Sequence, residues 1–159
     1  MTRVFIRLSA AVALALAGVA SADTLGRVRP EPAAVCDAAK PYELCFEKPK
    51  DGIARAAYLS EPFYAVILKT AARCSVTESE RLEAQALFPR HKVFSSRFYC
   101  GEDVEENIAY TSVDEKYGFL AVYAGTTYFD AKKMMIAVTA TGRFHGANIR
   151  KMQAKLVYP

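Results

Sequence analysis

Between Gly118 and Met135 the chain reads GFLAVYAGTTYFDAKKMM, and its periodicity changes in the middle. Up to Ala124 the run is aromatic and β-branched, which predicts a strand over Phe119 to Ala124. Gly125 breaks that strand. Thr127 and Asp130 then have helix-start spacing, with the Thr side chain placed to take up a free backbone N–H of the first turn. Ala131, Met134, Met135 and Val138 follow at i, i+3, i+4 and i+7 as one apolar stripe, and Gly142 is placed to end the helix. The two methionines belong to that stripe and are read as core, not as ligands.

A second strand-then-helix unit precedes this one. FYAVILKT, residues 63 to 70, is apolar through Leu68 and predicts a central strand. Ser75 and Glu78 have capping-box spacing ahead of good helix formers, which predicts a helix over about 76 to 88, before Pro89. KVFSSRFYC, residues 92 to 100, reads as a strand, GEDVEEN as an exposed loop and IAYTSVD as a short extended piece. In the last strand, NIRKMQAKLVY, Met152, Ala154 and Leu156 alternate with Lys151, Gln153 and Lys155, so one face is buried and one is wet. The order is β-α-β-β-α-β. It predicts an α+β fold of the ferredoxin-like split βαβ plan, a four-stranded antiparallel sheet with both helices on one face.

The first residues place the protein. Arg3 and Arg7 lead an apolar run from Leu8 to Val19 that ends in Ala20-Ser21-Ala22, which reads as a secretory signal peptide over 1–22, cut before Asp23. A transmembrane helix needs roughly 20 apolar residues, so this run is too short to span. Removing 22 of the 159 residues leaves 137, enough for one domain with a real core. The mature chain keeps 19 basic and 17 acidic residues, no nucleic-acid signature. The expected location is periplasmic or secreted.

Cys36, Cys45, Cys74 and Cys100 are an even set in an exported chain, which reads as two disulfides with three possible pairings. Their spacings of 8, 28 and 25 intervening residues contain no close pair of the zinc-binding kind, so no metal and no cofactor is expected. In the β-α-β-β-α-β plan, Cys74 after the first strand and Cys100 at the end of the second reach the same edge. The expected pairs are therefore Cys74–Cys100 and the local Cys36–Cys45. Five of the seven prolines fall between 30 and 62, dividing an irregular lead-in over 23–59 from the domain over 60–159.

FYAVILKT and LAVYAGTTYFDAKKM together resemble the SPOR, or sporulation-related repeat, domains. Those domains carry Y-x-V-Q-L-G in the first strand and Y-x-V-x-V-G-P-F in the third, ahead of an alanine-containing helix. Gly125 stands at the strand-end glycine and Ala131 at the helix alanine, while Ile67 replaces a common Gln and Lys69 a common Gly. The resemblance covers about residues 60 to 158. It implies a non-catalytic module that binds peptidoglycan glycan strands on the open face of the sheet. If Val66, Leu68, Leu120, Val122, Met152 and Leu156 face the helices, that open face holds Phe63, Ile67, Lys69, Phe119, Tyr123, Lys151 and Gln153. Aromatic rings pack on the apolar faces of sugars, and Lys and Gln meet hydroxyl, acetamido or carboxylate groups. Alternatively the lead-in covers this face and the aromatics form a second core. A different alternative is a propeptide-like protease inhibitor or a module for a protein partner in the cell envelope, since subtilisin-type propeptides share the plan. His91 and His145 sit in no catalytic motif and no nucleophile elbow is present, so an enzyme is not expected.

Overall fold

The computed structural model of the chain describes residues 24–25, 28–29, 42–46, 58–96, 100 and 107–157. The segment 1–22 expected to be a signal peptide, Cys36 and the stretch 101–106 lie outside these residues. Among the described residues ten strands and two helices follow in this order: β1 (Thr24–Leu25), β2 (Val28–Arg29), β3 (Cys45–Phe46), β4 (Tyr58–Ser60), β5 (Phe63–Ala72), α1 (Glu78–Leu87), β6 (Val93–Ser95), β7 (Asn107–Tyr110), β8 (Tyr117–Tyr123), α2 (Tyr128–Ala140), β9 (Asn148–Met152) and β10 (Ala154–Val157).

The fold is α+β with antiparallel sheets. One four-stranded sheet has the order β6-β8-β5-β9, every neighbour antiparallel. A second has the order β1-β4-β10-β7, with β1 parallel to β4 and the other neighbours antiparallel, and β2 pairs with β3 beside them.

The change of period around Gly125 is a strand end locked to a helix start. Gly125 has φ +97°, and a Cβ there would stand 2.9 Å from the Asp130 Cβ, so glycine is required twice over. The Tyr64 N–H donates to the Gly125 carbonyl at 2.8 Å, holding the turn to β5. Thr127 caps α2, its Oγ1 accepting from the Asp130 N–H at 3.2 Å. Ala131, Met134 and Val138 are buried as the stripe requires, with Met135 partly so, and Gly142 follows the C-cap at φ +65°.

Helix α1 starts later than its sequence indicates. Thr77, not Ser75, is the N-cap: its Oγ1 accepts from the Glu80 N–H, and Glu80 reaches back to accept from the Thr77 N–H at 3.0 Å. Ser75 is used in the turn after β5, where its N–H and hydroxyl both donate to the Ala72 carbonyl. Glu78 instead holds the buried Arg81 with two hydrogen bonds at 2.8 and 2.6 Å. Gln85 ties the end of α1 to β6, its amide donating to the Phe88 and His91 carbonyls and accepting from the Val93 N–H.

The last strand is not continuous. Gln153 separates β9, paired with β5, from β10, paired with β4 and β7. Glu61 and Pro62 do the same between β4 and β5, so two antiparallel strands pass from one sheet into the other at one corner. Ser60 and Gln153 fasten it: the Ala154 N–H donates to Ser60 Oγ at 3.0 Å, the Gln153 amide donates to the Ser60 carbonyl at 2.8 Å, and the Gln153 N–H donates to Thr111 Oγ1 at 2.7 Å.

Each face of the β6-β8-β5-β9 sheet is consequently a core. Val66, Leu68, Val93, Leu120 and Val122 pack against the helices through Ala84, Phe88, Ala131, Met134 and Val138. On the other side Phe63, Ala65, Ile67, Phe94, Phe119, Ala121, Tyr123 and Met152 pack with Ile108 and Tyr110 of β7, Ala154 of β10, Val28 of β2 and Leu44. Residues of the Pro-rich lead-in thus contribute to the core: Val28, Leu44 and Cys45 are buried, and the Ser95 N–H donates to the Tyr42 carbonyl at 2.9 Å. Cys74 and Cys100 form a disulfide with a Cα separation of 5.4 Å, and Cys45 is disulfide-bonded too. Such bridges persist in oxidising compartments. Among the described residues no helix is long and apolar enough to cross a membrane.

Candidate functional site

The seven residues predicted to share an open sheet face are distributed over three places. Phe63, Ile67, Phe119 and Tyr123 do share a face, but it is sealed: they are 1%, 5%, 3% and 7% exposed. Phe63 stacks on Tyr123 with ring centroids 5.7 Å apart, and Phe94 meets Phe119 edge-on at 5.8 Å. Tyr110 closes over them, 5.3 Å from Phe94 and 5.4 Å from Phe119. A glycan has no path to these rings. The physical reason is that alternation marks a buried or aromatic face without saying what covers it, and here β7, β10, β2 and the residues around Leu44 do so.

Lys69 lies on the opposite, helix-side face. A bulge between Ile67 and Lys69 inserts Leu68 as an extra residue, so Lys69 pairs across from Leu120 and its ammonium reaches Glu80 on α1 at 2.5 Å. That contact, with the Thr77 hydrogen bond, holds the Glu80 carboxyl below the usual carboxylate range. Lys151 is also on the helix side, because it pairs with Tyr64 and not with a residue of the sealed face. Gln153 is the corner residue described above. Met152, predicted to face the helices, is in the sealed core instead, since the register pairs it with Phe63.

Sequence alternation did not single out the outer surface formed by α2 and the edge strand β9. With Ala131, Met134 and Val138 turned inward, the positions left outside include Tyr128, Phe129, Lys132, Lys133 and Ile136. Tyr128, Phe129 and Ile136 are 55%, 62% and 70% exposed, unusual for large apolar side chains grouped on one helix. Lysines lie over the rings: Lys132 Nζ is 5.4 Å from the Tyr128 ring centroid and Lys133 Nζ is 4.3 Å from that of Phe129. Tyr64, half-buried on β5, packs against Tyr128 at 5.9 Å and receives Lys151 Nζ at 6.0 Å. The available signal was Ile136, an apolar residue two positions beyond Met134 and off the stripe.

A cleft of about 510 Å³ opens elsewhere on the helix side, between α1 and the turn after α2. Leu68, Ala84 and Leu120 are buried in its floor, and Lys69, Glu80, Glu83, Arg143 and His145 line it. No group of three or more His, Cys, Asp or Glu side chains among the described residues is placed to hold a metal ion.

Neither protein-family models nor curated proteins nor solved structures match this chain.

Proposed function

We propose that the chain is an exported, non-catalytic binding module of the cell envelope that recognises peptidoglycan glycan, and that it does so on the outer surface of α2 and β9. The observation that carries this reading is the group of exposed rings interleaved with ammonium groups at Tyr128, Phe129, Lys132, Lys133 and Lys151. Rings offer the apolar faces of sugars a flat partner, and lysines answer the carboxylates and acetamido oxygens of a cell-wall polymer. The strand order β9-β5-β8-β6 supports reading the sheet as the ferredoxin-like split βαβ plan, and with it the SPOR resemblance. The second core buries the sheet face, which supports reading the helix side as the recognition surface. Cleavage after Ala22 leaves β1 at the mature N-terminus, which fits a periplasmic or secreted protein whose disulfides form after export.

Retention of the purified protein on isolated sacculi tests this. Tyr128→Ala combined with Lys132→Ala should lower retention at least tenfold while the thermal midpoint stays within a few degrees, because both side chains are exposed. Undiminished retention of that variant contradicts the proposed surface. Absence of retention by the unaltered protein contradicts the glycan.

A further inference from the structure

The geometry points to a second binding site in the cleft between α1 and the turn after α2, and we propose that it takes a small zwitterion with a short apolar body, a free amino acid or dipeptide. This goes beyond the glycan reading and does not depend on it. The cleft's volume of about 510 Å³ lies within the roughly 300–1,000 Å³ typical of small-molecule sites. Its floor of Leu68, Ala84 and Leu120, with Phe144 beside them, offers an apolar seat and no charge.

The lining selects the ligand's charge. Lys69 and Arg143 are matched by Glu80 and Glu83, so a simple anion meets two carboxylates and a simple cation meets two basic groups. A zwitterion satisfies both signs at once. The two pairs are not equivalent. Glu80 is committed, bonded to Lys69 and to the Thr77 N–H that caps α1, and so serves as a fixed wall. Arg143 and Glu83 stand 3.6 Å apart with side chains 54% and 62% exposed, a pair beyond good hydrogen-bond range that is weakly held in water. An α-carboxylate can fork onto the Arg143 guanidinium while the α-ammonium takes Glu83, each replacing a poor contact by a charge-assisted one. The apolar side chain then lies on the Leu120 and Phe144 side of the cleft.

Amide chemical-shift titration of the whole protein tests this with three probes: alanyl-leucine, N-acetyl-leucine, which lacks the ammonium, and leucinamide, which lacks the carboxylate. Saturable shifts are expected at Leu68, Leu120, Arg143 and Phe144 with alanyl-leucine, and at least tenfold weaker binding of either blocked probe. Arg143→Ala should bring alanyl-leucine down to the level of leucinamide, and Glu83→Ala down to that of N-acetyl-leucine. Shifts that fail to saturate at these positions, or equal affinity for free and blocked probes, overturn the assignment. Because the readout uses no sacculi, its failure is separate from failure of the glycan reading.

Discussion

The ring of Phe63 lies 5.7 Å from that of Tyr123, inclined by 28°, in a layer where both side chains are almost wholly buried. Each comes from the centre of the sheet, one from β5 and one from β8, and together they define the face that the second sheet closes. Tyr123→Ala therefore creates a cavity between two sheets. The expected loss is about 3–5 kcal/mol, the range for truncating a buried aromatic side chain. Urea denaturation measures it; a variant as stable as the parent means that the face is open.

The corner between the sheets depends on few groups. Ser60 is fully buried, and its hydroxyl accepts from the Ala154 N–H while donating to the Glu61 carbonyl. Ser60→Ala leaves the Ala154 N–H without that acceptor in a dry site, at a cost of about 1–3 kcal/mol. Amide exchange of Ala154 should quicken more than that of Val122. Equal acceleration at both positions would mean global destabilisation and no local role for the corner.

Alkaline titration separates two buried groups with opposite signs. Burial, followed by the charge of Glu43, raises the Tyr110 phenol above its ordinary value of 10.0. Above pH 10 the unfolded chain loses this proton while the folded chain keeps it, so stability falls as pH rises. Burial, and then the charge of Arg81, lowers the Lys92 ammonium below 10.5, opposed by Glu78. In the window below 10.5 the unfolded chain holds more protons, so this group makes stability rise with pH. Tyr110→Phe should flatten the fall above pH 10, and Lys92→Met should flatten the rise beneath it, both read from denaturation midpoints across that range. Unchanged slopes in both variants contradict these assignments.

The local devices were legible in the sequence because they act over a few residues. The Gly125 break, the Thr127 cap, the stripe of Ala131, Met134 and Val138, and the strands at Phe63 and Phe119 all follow from short-range geometry, while the Cys74–Cys100 bridge, 26 residues apart, follows from the order of the elements. The α1 cap was missed by two residues because Ser75-Glu78 and Thr77-Glu80 offer competing partners, and the turn after β5 takes Ser75. Leu68 and Gln153 hid the larger departures. A bulge keeps apolar character while reversing the face, so Lys69 moved to the helices. A strand that changes sheets keeps its alternation, so nothing local in NIRKMQAKLVY marks the break at Gln153. The cover over Phe63 and Tyr123 comes from β7, β10, β2 and Leu44, and β10 is held beside Tyr58–Ser60 by contacts across more than 90 residues that no period records. Alternation alone does not distinguish an open aromatic face from a second core.

Under the proposed function, glycan is recognised on the helix side and not on the sheet. Amide hydrogen exchange of the protein with and without soluble glycan fragments released from sacculi measures it most directly. Protection is predicted at Tyr128 to Ile136 on α2 and at Lys151 on β9, with β7 and Phe119 to Tyr123 of β8 unchanged. Protection confined to β7 and β8, leaving α2 unaffected, would show that the covering sheet opens and would contradict the account.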